Sequence, residues 1–205
     1  MPGDHPVGLR ERKKLDTRMA LSDAALELAF ERGLDNVTRE EIAARAGVSV
    51  RTFTNYFTNK FEAVAYRQTE RVRRSLIALR ERPLDEPLWT SITEAVMEPL
   101  ERDGLADMPP TPRKLAVLRE VLESPEARMA VSKEVFVDWV DVIAERTRTD
   151  PVRDIYPRLV AAVVRAVAEA AMDAYVHADP PIHITTLLRR GLAAVAAGLP
   201  DPNTR

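Results

Sequence analysis

Arg51 and Asn55 stand four residues apart in the segment Ser49-Val-Arg-Thr-Phe-Thr-Asn-Tyr56. In a helix, four residues advance about 6 Å and return to one face. A guanidinium on such a face can bond guanine through two parallel hydrogen bonds, and a carboxamide can do the same with adenine. Val50 lies beside them and can touch a thymine methyl, and Thr54 shares the outward side. Ser49, Thr52 and Tyr56 carry hydroxyls, which more often meet phosphate and so set position without reading sequence. Lys60, at the start of the next helix, can reach the same backbone. Thr38 and Arg39 open the preceding helix, where free N–H groups favour phosphate. Residues 9–18 add a cationic arm that includes Arg10, Lys13 and Lys14.

The charge distribution agrees with a polyanionic partner at this end alone. Residues 1–82 hold 16 Lys+Arg against 12 Asp+Glu, a net of +4, and residues 83–205 hold 14 against 20, a net of −6. The whole chain is close to neutral at −2, and 45% of it is hydrophobic, enough for a packed core and too much for disorder. It has no cysteine, hence no disulfide framework and no thiolate metal site. No stretch reads as a signal peptide or as a membrane span of roughly 20 apolar residues, so a soluble, cytoplasmic protein without a membrane partner is expected.

The elements that must hold these residues read as helices throughout. No segment alternates with period two for long enough to make a strand, and Ala, Leu, Glu and Arg dominate. The first helix is expected over about residues 9–32, with Leu21, Ala24, Ala25, Leu28 and Ala29 as its buried stripe and Gly33 past its end. Thr38-Arg-Glu-Glu41 has the form of a capping box and starts a short helix over residues 38–46. Gly47 permits the tight turn, and Ser49 caps a second short helix to Tyr56. Ile42, Ala43, Ala46, Val48, Phe53 and Phe57 are placed to lock the two together. This is the pattern of a helix-turn-helix, in which one helix braces and the other enters the major groove.

Asn59 and Glu62 can cap a long helix over residues 60–81. Further helices are expected over residues 86–102, from Pro112 to Glu123, from the Ser124-Pro125-Glu126 start signal to Thr147, through an alanine- and valine-rich stretch to Val176, and over residues 182–197. Trp89, Met97, Phe136, Trp139, Met172 and Tyr175 are the notable large side chains of this half and read as its hydrophobic core. His177 and His183 flank a Pro-Pro turn and read as loop residues, not a metal site. There is no glycine-rich phosphate loop, no Gly-x-Ser-x-Gly elbow and no His-Glu-x-x-His, so no enzymatic activity, metal or cofactor is expected.

The segment Gly47-Val-Ser-Val-Arg-Thr-Phe-Thr-Asn-Tyr-Phe-Thr-Asn-Lys60 resembles the recognition motif of the TetR family of transcriptional regulators, and residues 25–33 and 38–46 fit the same pattern. The resemblance spans roughly residues 9–64. It implies an all-α fold of about nine helices: an N-terminal three-helix DNA-binding head (residues 9–60) and a helical ligand-binding and dimerisation domain (residues 61–205). It implies a homodimer built through the last two helices, a palindromic double-stranded operator, and a repressor released by a small-molecule effector, whose cavity among the middle helices makes Trp89, Met97, Phe136, Trp139, Met172 and Tyr175 candidates to line a ligand pocket as well as core. Carried over by position, Thr52, Tyr56 and Lys60 match residues that meet phosphate, and Val50, Arg51, Thr54 and Asn55 match those nearest the bases. Two positions depart from the pattern: Thr54 stands where tyrosine is common, and Phe61 where an acidic or polar residue is usual. The alternative reading is a dimeric helical module for small molecules or proteins with a weak or vestigial DNA head.

Overall fold

A computed structural model describes residues 9–106, 110–124 and 134–201. Among the described residues it contains nine α-helices and no strand, in agreement with the all-α expectation. They are α1 (Leu9–Arg32), α2 (Arg39–Arg45), α3 (Val50–Tyr56), α4 (Lys60–Glu81), α5 (Leu88–Arg102), α6 (Pro112–Glu123), α7 (Glu134–Thr147), α8 (Ile155–His177) and α9 (Ile184–Ala196). A 3₁₀ turn, Leu34–Asn36, follows Gly33, whose φ of 85° suits glycine. Pro112 takes the first position of α6, where its missing N–H costs nothing.

Two boundaries differ from the sequence reading. Helix α5 starts at Leu88 and not at Glu86, because Pro87 takes the cap position with ψ at 135° and Glu86 is drawn into an ion pair with Arg82. Helix α9 starts at Ile184, with His183 as its extended cap residue, and ends at Ala196. Of the Ser124-Pro125-Glu126 start signal, Pro125 and Glu126 lie outside the described residues, as do those up to 133; α7 is described from Glu134.

The chain divides into two compact units, and each has its own core. The first comprises residues 9–68 and 117–124. Its centre is the stripe expected on α1, with Leu21, Ala25 and Ala29 fully enclosed. Leu34 and Val37, Ile42 and Ala43 of α2, Phe53 and Phe57, and Ala63, Val64 and Tyr66 of α4 close around it, with Val117 from α6. Removing such side chains from water drives this assembly, at about 1.5–3 kcal/mol for each large one.

The second unit comprises residues 69–106, 110–116 and 134–201. Leu76 and Leu79 of α4, Ile92 and Ala95 of α5, Val140, Val142 and Ile143 of α7, Val160 and Val164 of α8 and Leu192 of α9 form its core. Polar groups tie α4 down at two places. Asp103, just past α5, accepts from Arg71 Nε at 2.8 Å and from both terminal nitrogens of Arg74 at 3.0 and 2.8 Å. Burial works against the charge on Asp103, yet the bonds from Arg74 and Arg71 outweigh it and hold the carboxyl below its ordinary range.

At the other end of α4, Arg146 of α7 donates to the carbonyls of Arg82 (3.0 Å) and Pro83 and to the Ser91 hydroxyl (2.6 Å). The guanidinium thus binds the backbone just past the end of α4, where the Pro83 carbonyl also accepts the Glu86 N–H at 3.3 Å. Ser91 in turn donates to Glu86, which also pairs with Arg82. The bond from Arg82, then that from Ser91, pull the Glu86 carboxyl down from 4.5 to about 2. A carboxyl with a depressed folded value stabilises the fold above its unfolded value, and this contribution is lost as pH falls through the folded value. Glu86→Gln is therefore expected to lower the thermal midpoint at neutral pH, and the gap to the parent should shrink from about pH 4.5 and close near pH 2. A gap independent of pH would contradict this.

Helices α8 and α9 approach closely because Gly191 has no side chain. A methyl at that position would lie 2.7 Å from Val167 Cγ1. Gly191→Ala should cost about 1–3 kcal/mol by overpacking. Adding Val167→Ala should restore part of the midpoint, as followed by thermal denaturation of the two variants.

Candidate nucleic-acid interface

Helix α2 is aimed by bonds at both of its ends. At its start, the Thr38 N–H donates to Glu41 Oε2 at 2.9 Å, and the Glu41 N–H donates to Thr38 Oγ1 at 3.3 Å, which completes the capping box. Glu41 also meets Arg32 of α1 at 2.9 Å. The Thr38 backbone N–H, then the Thr38 hydroxyl, hold the Glu41 carboxyl below its ordinary value. At the other end, Arg45 sets both terminal nitrogens on the Glu31 carboxylate at 2.9 Å each and reaches Glu27 at 3.3 Å. Such a fork fixes orientation as well as distance.

Helix α3 leaves α2 through a turn in which Gly47 has φ 69°, and a Cβ there would meet nothing within 4 Å. The demand on this glycine is therefore backbone conformation, not space. Ser49 Oγ accepts from the Thr52 N–H at 3.1 Å and lies 2.8 Å from the Thr52 hydroxyl. Phe53 and Phe57 are 0% and 1% exposed, with ring centroids 5.9 Å apart, and Phe57 meets Tyr66 edge-on at 5.6 Å.

The side of α3 away from this core carries Arg51, Thr54 and Asn55, all exposed. The Thr54 hydroxyl donates to the Arg51 carbonyl at 3.0 Å, so its proton is used within the helix. Val50, Thr52 and Tyr56 are half-buried, and Val50 and Tyr56 pack against the head core. Ser49 is exposed at the rim. The structure thus gathers the candidates of residues 49–56 on one helix and its cap, with Arg51, Thr54 and Asn55 exposed. Thr38 and Arg39 are exposed at the start of α2, and Arg39 Nε donates to Glu40 at 2.9 Å. Arg10, Lys13 and Lys14 are exposed on the first turns of α1. Lys60 is half-buried, and its Nζ donates to the carbonyls of Leu34 at 2.7 Å and Asp35 at 3.2 Å.

One cation of the basic arm has a different place. The Arg18 guanidinium lies over Tyr66 at 4.4 Å and over Phe57 at 5.3 Å from the ring centroids. Residue 18 is three before Leu21 and seven before Ala25, so the helical stripe itself puts it on the buried face. That periodicity was the signal available for it.

Of the pocket candidates in the second unit, Trp89, Phe136 and Trp139 share one packed cluster with Leu79 and Ile143. Met97, fully enclosed, Met172, half-buried, and Tyr175, 8% exposed, lie outside that cluster. Burial pushes the Tyr175 phenol up, and Arg71 opposes it. A surface cavity of about 170 Å³ is lined by Phe136, Val137, Val140, Asp141, Pro151, Val152 and Arg158, which include one of the six candidates. Among the described residues no three His, Cys, Asp or Glu side chains gather to hold a metal, and no helix is long and apolar enough to cross a membrane.

Residues 21–64 match the family model for bacterial regulatory proteins of the tetR family, and residues 86–200 match that of the MftR C-terminal domain. Over 202 residues the chain is 27% identical to a Mycobacterium tuberculosis protein named as the mycofactocin biosynthesis transcriptional regulator MftR, covering 97% of this chain and 98% of that one. It is 32% identical over 179 residues to the HTH-type transcriptional regulator TcmR of Streptomyces glaucescens, covering 84% and 79%. Among solved structures, Thermus thermophilus FadR, a TetR family transcriptional repressor in complex with lauroyl-CoA, superposes with a TM-score of 0.57 at 19% identity, covering 91% of this chain and 97% of that one.

Proposed function

Because the chain belongs to the TetR family of bacterial transcriptional regulators, we propose that it represses genes by binding a palindromic operator and leaves it when a small molecule occupies the second unit. The observation that carries this reading is the exposed Arg51–Asn55 face on a helix whose every other large side chain is anchored in the head core. Arg51 and Asn55 read bases, with Val50 and Thr54 beside them. Ser49, Thr52, Tyr56, Thr38 and Arg39 meet phosphates, and Arg10, Lys13 and Lys14 extend the contact along the backbone. Lys60 completes the set of sequence candidates, although two of its three N–H groups are already taken. The function is binding without a catalytic step, and its place is with the chromosome, in the cytoplasm.

A palindrome calls for two heads about one DNA turn, ~34 Å, apart. The reading that α8 and α9 supply the dimer contact is supported by Ile155, Leu159, Ala166, Ala170 and Ala174, which recur at helical spacing on α8 and stay exposed. For the effector, Trp89, Met97, Phe136, Trp139, Met172 and Tyr175 are the lining residues we propose. The complex of FadR with lauroyl-CoA makes an acyl-CoA the first compound to try. Footprinting on the chain's own promoter tests the reading: protection is expected without ligand and its loss with an effective acyl-CoA. Protection that persists with every compound tried would leave a regulator without ligand release and contradict this part of the proposal.

A further inference from the structure

We propose that Lys60 is a positioning residue of the DNA-binding head: its ammonium holds the Leu34–Asn36 turn to the start of α4 and thereby sets where α2 and α3 lie. The proposal rests on the DNA-binding reading above and assigns Lys60 a role beyond meeting phosphate. Lys60 is the first residue of a 22-residue helix. A cation there faces the positive end of the helix dipole and needs a negative partner. The structure supplies two within the protein: Nζ donates to the Leu34 carbonyl at 2.7 Å and to the Asp35 carbonyl at 3.2 Å, 26 and 25 residues away in the chain. An ammonium has three N–H donors, so one is left over.

The bonded carbonyls belong to the turn that leads into α2. The Leu34 carbonyl also accepts the Val37 N–H at 3.2 Å, Val37 is 2% exposed, and Thr38 follows as the cap of α2. Lys60 therefore pins the backbone from which the bracing helix departs, and the recognition helix is carried by the brace. Recognition geometry tolerates displacements of only about 0.5 Å, so a loosened turn is felt at Arg51 and Asn55 without any change in the groups facing DNA.

The test compares the full-length parent with Lys60→Met, which keeps an unbranched stem and removes the donors, and with Lys60→Arg. Two quantities are measured: affinity for a selected duplex across salt concentrations, and amide exchange at Val37 in the DNA-free proteins. The expected result for Lys60→Met is affinity about tenfold weaker at every salt concentration, an unchanged slope of log K against log salt, and faster exchange at Val37. Lys60→Arg should restore both. Faster exchange together with a shallower slope also supports the proposal and adds a phosphate bond through the third N–H. Unchanged exchange at Val37 overturns it, whether the slope falls by about 0.9, one phosphate's worth, or stays the same. A parent that selects no duplex would refute the DNA-binding reading, and the exchange measurement would still decide the role of Lys60 in the head.

Discussion

Phe53→Ala is expected to destabilise the head by about 3–5 kcal/mol, the range for removing a fully buried phenylalanine and leaving a cavity. Phe53 is 0% exposed. It packs with Phe57, which in turn meets Tyr66, and the Arg18 guanidinium covers both of the latter rings. The loss is comparable with the whole stability of a small domain, about 5–15 kcal/mol. DNA binding should therefore disappear because the head no longer holds α3, not because a contact is missing. Phe53→Leu nearly conserves volume and should cost under about 1.5 kcal/mol with binding retained. Chemical denaturation followed by amide exchange within residues 21–64 distinguishes these cases. Wild-type protection in Phe53→Ala would mean that the aromatic cluster is not the keystone of the head.

Arg51→Ala combined with Asn55→Ala is expected to do the reverse: leave stability unchanged and erase sequence preference. Both side chains are exposed and contribute nothing to the core. Each paired bond to a base edge is worth about 1–3 kcal/mol of discrimination, so the double variant should lose about 2–6 kcal/mol of specificity where the sites act independently. Nonspecific affinity should fall only by the one charge removed, lowering the salt slope by about 0.9. Arg51→Ala alone should relax preference at a guanine, and Asn55→Ala alone at an adenine. Preferences that survive in the double variant would move base reading to Val50 and Thr54 or off α3 altogether.

The head was readable in the sequence because its signals are local. The capping box Thr38–Glu41, the Ser49 cap, Gly33 and Gly47 and the α1 stripe each span a few residues, and all take the expected form. The bonds that orient these pieces were not readable, because they join residues distant in the chain. Lys60 reaches carbonyls at 34 and 35, Arg45 reaches Glu31, and Arg146 reaches back to residues 82 and 83. Sequence periodicity says which side chains leave the solvent but not which backbone oxygen a cation will find. Arg18 shows the cost of reading composition alone: grouped with the basic arm, it belongs by helical phase with Leu21 and Ala25, and it stacks on aromatic rings. In the second unit the few large aromatics were equally compatible with core and with cavity, because helical spacing places a side chain inward without saying whether a neighbour fills the space beside it; Trp139 is buried in one cluster, and Trp89 and Phe136 are partly buried against it.

The central claim is that α3 presents a base-reading face to duplex DNA. Selection of the full-length protein on a random duplex library tests it most directly. The expected outcome is enrichment of an inverted repeat whose half-sites carry a guanine and an adenine, with affinity falling steeply as salt is raised. A library that comes through repeated rounds with no enriched motif would contradict it.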